Sequence, residues 1–305
     1  MRILKTFALV FALLLVALTI AGVYYLGSEE VPEESAYDLN LPQLRSLARS
    51  LPGALPTEIR FENVADGGMP RAGLLAGESF DIQDMGRPVF QVRHPDDTFV
   101  LIDVAYDRAS HEEMFSPESY SDAVWSRVVR VMENADQIVV THEHGDHMGG
   151  LVAHPRPEKI ADQIRLNIEQ ADAPRPVDTE LPAALLERID PLDYADAMPI
   201  APGVVLKRAA GHTPGSQMVF VALADGREFL FLGDVVWNLD AITMLKYRPR
   251  LITDLVIDED RAAVLDQIRA LRTVYDEARV ALVVSHDART LESNGLIEGF
   301  APGTF

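Results

Sequence analysis

The sequence predicts a mixed fold in which helices pack on β-sheets, in an α/β or α+β arrangement. Short apolar runs of strand length, such as Phe99–Asp103 and Val280–Val284, end at turn residues. Between them lie segments with apolar residues at helical spacing, such as Asp122–Asn134 and Glu259–Glu277. With 305 residues, 48% of them apolar, the chain can bury one large core or form one domain with an N-terminal extension.

Met1–Lys5 is short and basic, and Phe7–Leu26 follows with no charge. Two readings of this segment compete. A cleaved signal peptide has a shorter apolar region ending in small residues, and Thr19-Ile20-Ala21 offers such a site. A membrane anchor needs about 20 apolar residues. The length favours the anchor, and Tyr24 and Tyr25 suit a membrane interface. Either way Arg2 and Lys5 stay inside and the acidic run Glu29, Glu30, Glu33, Glu34 goes outside. The expected location is periplasmic, free or anchored to the inner membrane. Residues 1–27 are thus a signal or anchor helix, 28–56 a linker and extension, and 57–305 the functional domain.

Within the extension, Leu39–Leu51 reads as a short helix before Pro52 and Pro56. Ile59, Phe61 and Val64 suggest a strand, and Val89–Val92 and Phe99–Asp103 a strand pair turning at His94–Asp97. Asp122–Asn134 places Val124, Val128, Val131 and Met132 at helical spacing, and Gln137–Thr141 is a buried strand. Lys159–Ile168 reads as helical, and Ala171–Pro202, rich in Pro and acid, resists assignment. Val204–Lys207, Met218–Leu223 and Glu228–Leu232 are strands, the last two joined through Asp225-Gly226. Glu259–Glu277 is the clearest helix, and Val280–Val284 a final strand.

Net charge is −20, and Arg2 and Lys5 are the only charges before Glu29, so the remainder is more acidic still. Such a surface repels phosphate backbones and argues against a nucleic-acid partner. There is no cysteine, which removes disulfides and thiolate chemistry. Any metal must therefore be held by imidazoles and carboxylates.

The segment Thr141-His142-Glu143-His144-Gly145-Asp146-His147-Met148-Gly149-Gly150 follows an apolar strand. In extended chain, residues two apart face the same side, so His142 and His144 can meet one cation. Gly145 lets the loop turn, so that Asp146 and His147 can face a second. Three imidazoles and a carboxylate this close are costly unless paired or liganded, and His with Asp suits Zn²⁺. Three later residues fit the same scheme. His212 lies in Gly211-His212-Thr213-Pro214-Gly215-Ser216, Asp234 follows a strand through Gly233, and His286 follows one through Ser285. His94, His111 and His154 are read as ordinary structural histidines.

The first segment resembles the H-x-H-x-D-H signature of the metallo-β-lactamase superfamily. The later His, Gly-Asp and His resemble its remaining motifs in order, and Asp103, ending a strand, resembles its first motif. The resemblance runs from roughly Thr57 to the C-terminus. It implies a four-layer αββα sandwich with the site at one edge, between the sheets. It implies two zinc ions, one held by His142, His144 and His212, the other by Asp146, His147 and His286. Asp234 would bridge them, and Asp103 would orient the site from behind. Paired zinc ions would provide a hydroxide at working pH for attack on a carbonyl, with Asp146 passing a proton to the leaving oxygen.

Gly211–Gln217 and Ser285-His286-Asp287 look like the branch that opens N-acyl-homoserine lactones, so a lactone or ester of small size is the expected substrate. That branch commonly carries Tyr three residues after the bridging Asp, and here the position is Trp237, whose N–H donates but cannot accept. The alternatives are a β-lactamase, a thioester hydrolase of the glyoxalase II type, and a non-catalytic metal-binding module. Trp237 and Tyr247 are candidate substrate contacts. They lie in Trp237–Leu251, read either as a lid over an acyl chain or as an amphipathic helix covering the core.

Overall fold

The computed structural model describes residues 2–172, 180–277 and 279–305. Eleven strands are present among them. β1 (Glu58–Pro70), β2 (Ile82–Arg93), β3 (Phe99–Ile102), β4 (Gln137–Val139), β5 (Ile164–Arg165) and β11 (Ile297–Glu298) form one sheet. Its order is β11-β1-β2-β3-β4-β5. β6 (Ala197–Ala201), β7 (Val204–Arg208), β8 (Gln217–Ala222), β9 (Glu228–Phe231) and β10 (Val280–Val283) form the other, in the order β10-β9-β8-β7-β6.

Three apolar clusters define four layers. Between the sheets, Phe61, Phe90, Val92, Val100 and Ile102 meet Val204, Leu206, Val219, Phe229 and Phe231. Phe90 and Phe231 close this seam edge to face, with ring centroids 4.9 Å apart. On the outer face of the first sheet, Val128, Val131 and Met132 of the Asp122–Asn134 helix pack on Leu101, Ile138 and Val140. On the outer face of the second, Val264, Ile268 and Leu271 of the Arg261–Glu277 helix pack on Phe220, Leu230 and Leu282. Helix, sheet, sheet and helix therefore stack in that order, as the αββα expectation requires.

Parallel pairing positions the site. β3 and β4 run parallel with Ile102 opposite Val139, so their C-terminal ends lie side by side. β9 and β10 do the same with Val283 opposite Phe231. Carboxyl ends of parallel strands are where open α/β sheets leave room for ligands. Asp103 and Thr141–His142 emerge from one sheet there, Asp234 and His286 from the other.

Several sequence expectations change. Lys159–Ile168 is not a helix but two short 3₁₀ turns leading into β5, where Ile164 pairs with Ile138. Trp237–Leu251 is not one amphipathic helix. Asp240–Thr243 is a single turn, Leu245 takes φ 49°, and Pro249 precedes a separate helix, Arg250–Leu255. The short helix expected within Leu39–Leu51 is present as Leu41–Leu47, and its Leu41 and Leu44 are buried in the second sheet's outer cluster.

Candidate metal centre

The loop after β4 and the helix it opens, Gly145–Val152, carry the densest part of the site. The helix can sit against the chain following β3 only because of a glycine. A Cβ on Gly150 would lie 2.4 Å from the Val104 carbonyl oxygen. In its place the Gly150 N–H donates to the Ala105 carbonyl at 2.8 Å, and the Val104 N–H to that of His147 at 2.9 Å. Gly233, at φ +53°, serves the other sheet in the same way, since a Cβ there would meet the Thr141 side chain at 2.8 Å.

Seven side chains converge in two groups. His142, His144, His212 and Asp234 form one, and Asp146, His147 and His286 the other. Within each, the donor atoms all lie within 4.8 Å of one another. His144 Nδ1 is 3.1 Å from His142 Nε2 and 3.0 Å from His212 Nε2. In the second group, His147 Nε2 and His286 Nε2 are 3.3 Å apart. Asp234 faces both. Its Oδ2 is 3.7 Å from His142 Nε2 and 3.6 Å from His212 Nε2. Its Oδ1 is 3.2 Å from His147 Nε2 and 3.1 Å from His286 Nε2.

The outward hydrogen bonds decide what faces inward. His147 Nδ1 donates to Asp103 Oδ2 at 2.8 Å. His212 Nδ1 donates to Glu259 Oε2 at 2.8 Å, and His286 Nδ1 to the Gly86 carbonyl at 2.7 Å. Each of these rings, when neutral, then turns a lone pair inward from Nε2. With both rings neutral, the 3.3 Å contact of His147 with His286 sets lone pair against lone pair. It is close to the roughly 3.4 Å edge of a tetrahedron with Zn–N bonds of about 2.1 Å. Asp234 Oδ1 is buried and has no hydrogen-bond donor. A buried carboxylate whose two oxygens face four imidazoles between them fits divalent cations, which would satisfy these groups together.

The electrostatics agree. Burial first, and then neighbouring His212, pushes His144 down to about 4, so it is neutral at pH 7. Burial and the other imidazoles hold His142 well below its usual range. At His147 burial works the same way, but the carboxylates of Asp234, Asp103 and Asp146 outweigh it and favour positive charge there. Asp146 is raised by burial and lowered more strongly by His147, Arg87 and His286, which leaves it at about 2.

A sequence model of the metallo-beta-lactamase superfamily matches residues 133–282. Those residues, just under half of the chain, carry the sequence pattern of that superfamily. A sequence search of curated proteins finds no match. Among solved structures, a quorum-quenching N-acyl homoserine lactone lactonase superposes with a TM-score of 0.60 at 15% identity, covering 78% of this chain and 95% of the lactonase. An N-acyl homoserine lactone hydrolase, solved with N-hexanoyl-L-homoserine at its catalytic metal centre, gives 0.60 at 14%, covering 79% and 97%. A probable metal-dependent hydrolase from Staphylococcus aureus gives 0.55 at 11%, covering 76% and 90%. At these identities the likeness is one of fold.

The superfamily motif also positions residues that sequence reasoning assigned otherwise or missed. Trp237 is buried against the site, and its indole N–H donates to Asp234 Oδ2 at 2.7 Å. Its polar edge is therefore committed to holding a carboxylate. Tyr247, 1% exposed, lies in the core with its hydroxyl on Glu259, so it offers no surface to a ligand. Glu259 was missed. It supports His212 and takes Arg248 Nη2 at 2.9 Å, and Arg248 stacks over Trp237 at 4.3 Å. Arg248 and Tyr247 together with His212 overcome the raising effect of burial and hold Glu259 at about 2. In sequence it sits in Asp258-Glu259-Asp260, which reads as the acidic first turn of the next helix. Arg87 was missed as well. Its Nε lies 2.8 Å from Asp146 Oδ2 but is not aligned for a hydrogen bond, so the contact is one of charge. His94, His111 and His154 lie outside both groups. His111, for instance, binds Tyr106, Ser116 and Ser119 among aromatic rings.

Proposed function

We propose that this chain is a di-zinc hydrolase of lactone or ester bonds. His142, His144 and His212 would hold one ion, and Asp146, His147 and His286 the other. The observation that carries the reading is Asp234, whose two oxygens each face one group of imidazoles. Zinc ions at these positions supply a hydroxide near neutral pH and polarise a carbonyl. The protein's own groups do the rest. Asp103, Glu259 and the Gly86 carbonyl fix the ring tautomers. Asp146, 20% exposed and ionised, accepts a proton and delivers it to the leaving oxygen.

The substrate class is supported by the superfamily's fold and by the likeness to two N-acyl homoserine lactone hydrolases. The helix Arg2–Leu26 acts as an anchor in this reading. It contains an 18-residue span, Leu9–Leu26, of mean hydropathy 2.5 with none of it buried by the protein. The functional domain then lies on the periplasmic side.

The test is metal analysis beside a substrate panel. Purified chain should carry two equivalents of zinc, lose lactone and ester turnover on chelation, and regain it with zinc. Full activity in metal-stripped protein would refute the reading. Faster turnover of a β-lactam or a thioester than of any lactone would reassign the substrate.

A further inference from the structure

Beside the C-terminal end of the N-terminal helix, the domain exposes side chains that soluble surfaces usually bury. Phe80 is 82% exposed, Ile82 65%, Leu255 62% and Val256 68%. They come from the tip of the β1–β2 hairpin, where Ile82 pairs with Pro70, and from the end of the Arg250–Leu255 helix. Between these two elements is an apolar cavity of about 420 Å³. Leu26, the last residue of the N-terminal helix, lines it together with Met69, Phe80, Leu251 and Ile252.

The helix is fixed against this face. Arg250 stacks over Tyr24 at 4.9 Å, and Glu29 takes Arg250 at 2.9 Å and Arg261 at 2.8 Å. We propose that the face formed by Phe80, Ile82, Leu255 and Val256 lies in the membrane interface, and that the cavity beside Leu26 receives a lipid acyl chain. The proposal rests on the anchor reading of the helix and extends it to the domain.

Three observations choose lipid over a protein partner. The face is continuous with a helix that only an apolar solvent can cover. Its cations are already paired. Arg71 meets Glu78 at 3.1 Å and Asp240 at 2.8 Å, Lys246 meets Glu78, and Arg250 meets Glu29. Contact is therefore apolar, and a chain of net charge −20 gains nothing from anionic headgroups. The hairpin also runs into the metal centre. From Ile82 to Gly86, whose carbonyl holds His286, is four residues, about 13 Å of strand. Gln83 on the same strand binds Arg71 at 3.2 Å and Asn238, just past Trp237, at 3.4 Å. A substrate with a long acyl chain would thus reach the site from the bilayer.

The test uses the full chain in phosphatidylcholine vesicles with brominated acyl chains. Single variants Leu14→Trp, Phe80→Trp, Leu255→Trp and Phe305→Trp are read against the parent, whose Trp125 and Trp237 set the background. Leu14 probes the helix, Phe80 and Leu255 the proposed face, and Phe305 the opposite outer layer, beside Arg130. The expected result is blue-shifted, bromine-quenched emission at the first three positions and neither at Phe305. Quenching at Leu14 without quenching at both Phe80 and Leu255 overturns the face while leaving the anchor intact. No quenching at Leu14 overturns both. Equal quenching at Phe305 overturns it as indiscriminate adsorption.

Discussion

The two halves of the centre both combine imidazoles with carboxylates but are held in different ways. The group of His142, His144 and His212 is backed by a buried ionic layer. Glu259 receives His212, Arg248 and Tyr247 at once, and neither it nor Arg248 reaches solvent. The group of Asp146, His147 and His286 is backed by Asp103 and a backbone carbonyl, and its one carboxylate is half-open and in contact with Arg87. On the proposed reading, the first half would tie ligation to fold stability, and the second would tie it to a neighbouring cation, Arg87, that competes with metal for Asp146. Asp234 belongs to both, and Trp237 fixes it from the side of the first.

The largest expected effect comes from removing the shared group. Asp234→Asn should lower kcat/KM roughly a thousandfold, the upper end of what one electrostatic contact contributes at a reacting centre. Zinc content should fall at both groups together. Retention of two equivalents would separate the halves and break the comparison at its centre.

The supporting carboxylates come next, and their contrast is the sharper test. Glu259→Gln and Asp103→Asn should each weaken metal binding about 10–100-fold, as loss of a ligand's outer partner usually does. Their effects on folding should differ. Glu259→Gln leaves Arg248 buried beside a neutral amide, and breaking one partner of a buried pair costs about 3–5 kcal/mol. Asp103 has no such arginine. Urea or thermal unfolding of the metal-free variants should therefore show a much larger loss for Glu259→Gln. Equal losses would mean that the ionic layer is not what distinguishes the halves.

Arg87→Gln should act in the opposite direction. With the competing cation gone, the second group should retain zinc against a chelator roughly tenfold better, the size of one pKa unit's worth of charge interaction. Unchanged or weaker retention would mean that Arg87 positions Asp146 rather than competing at it.

How much of this the sequence carried follows from distance along the chain. The convergence of the His142–His147 donors was legible because four of them share one loop, and that of His212, Asp234 and His286 because each follows a strand. The layered fold was legible where the apolar period was clean, as in Asp122–Asn134 and Glu259–Glu277. The full hairpin was not. Asp66-Gly67-Gly68 has poor strand propensity and is extended only because it pairs with Asp84–Gly86 nearly twenty residues on. Arg87 was hidden with it. Glu259 was hidden because a carboxylate before a helix has an ordinary local reason to be there. Tyr247 misled because an aromatic among apolar neighbours gives no sign of which way its hydroxyl turns.

The smallest expected effect falls on Trp237. Among the described residues, its N–H is the one side-chain hydrogen bond to Asp234 that comes from outside the imidazoles. Trp237→Phe keeps a ring beside Arg248 but removes that donor, and a hydrogen bond to a charged group is worth about 1.5–3 kcal/mol before relaxation. Two zinc ions on the same carboxylate would stabilise its charge without help, so most of that should be recovered in the metal-loaded enzyme. The expectation is a few-fold fall in kcat/KM in zinc and a clearly weaker zinc affinity in chelator titration. A rise in KM confined to long-chain substrates, with zinc affinity unchanged, would instead make Trp237 a wall of the substrate pocket.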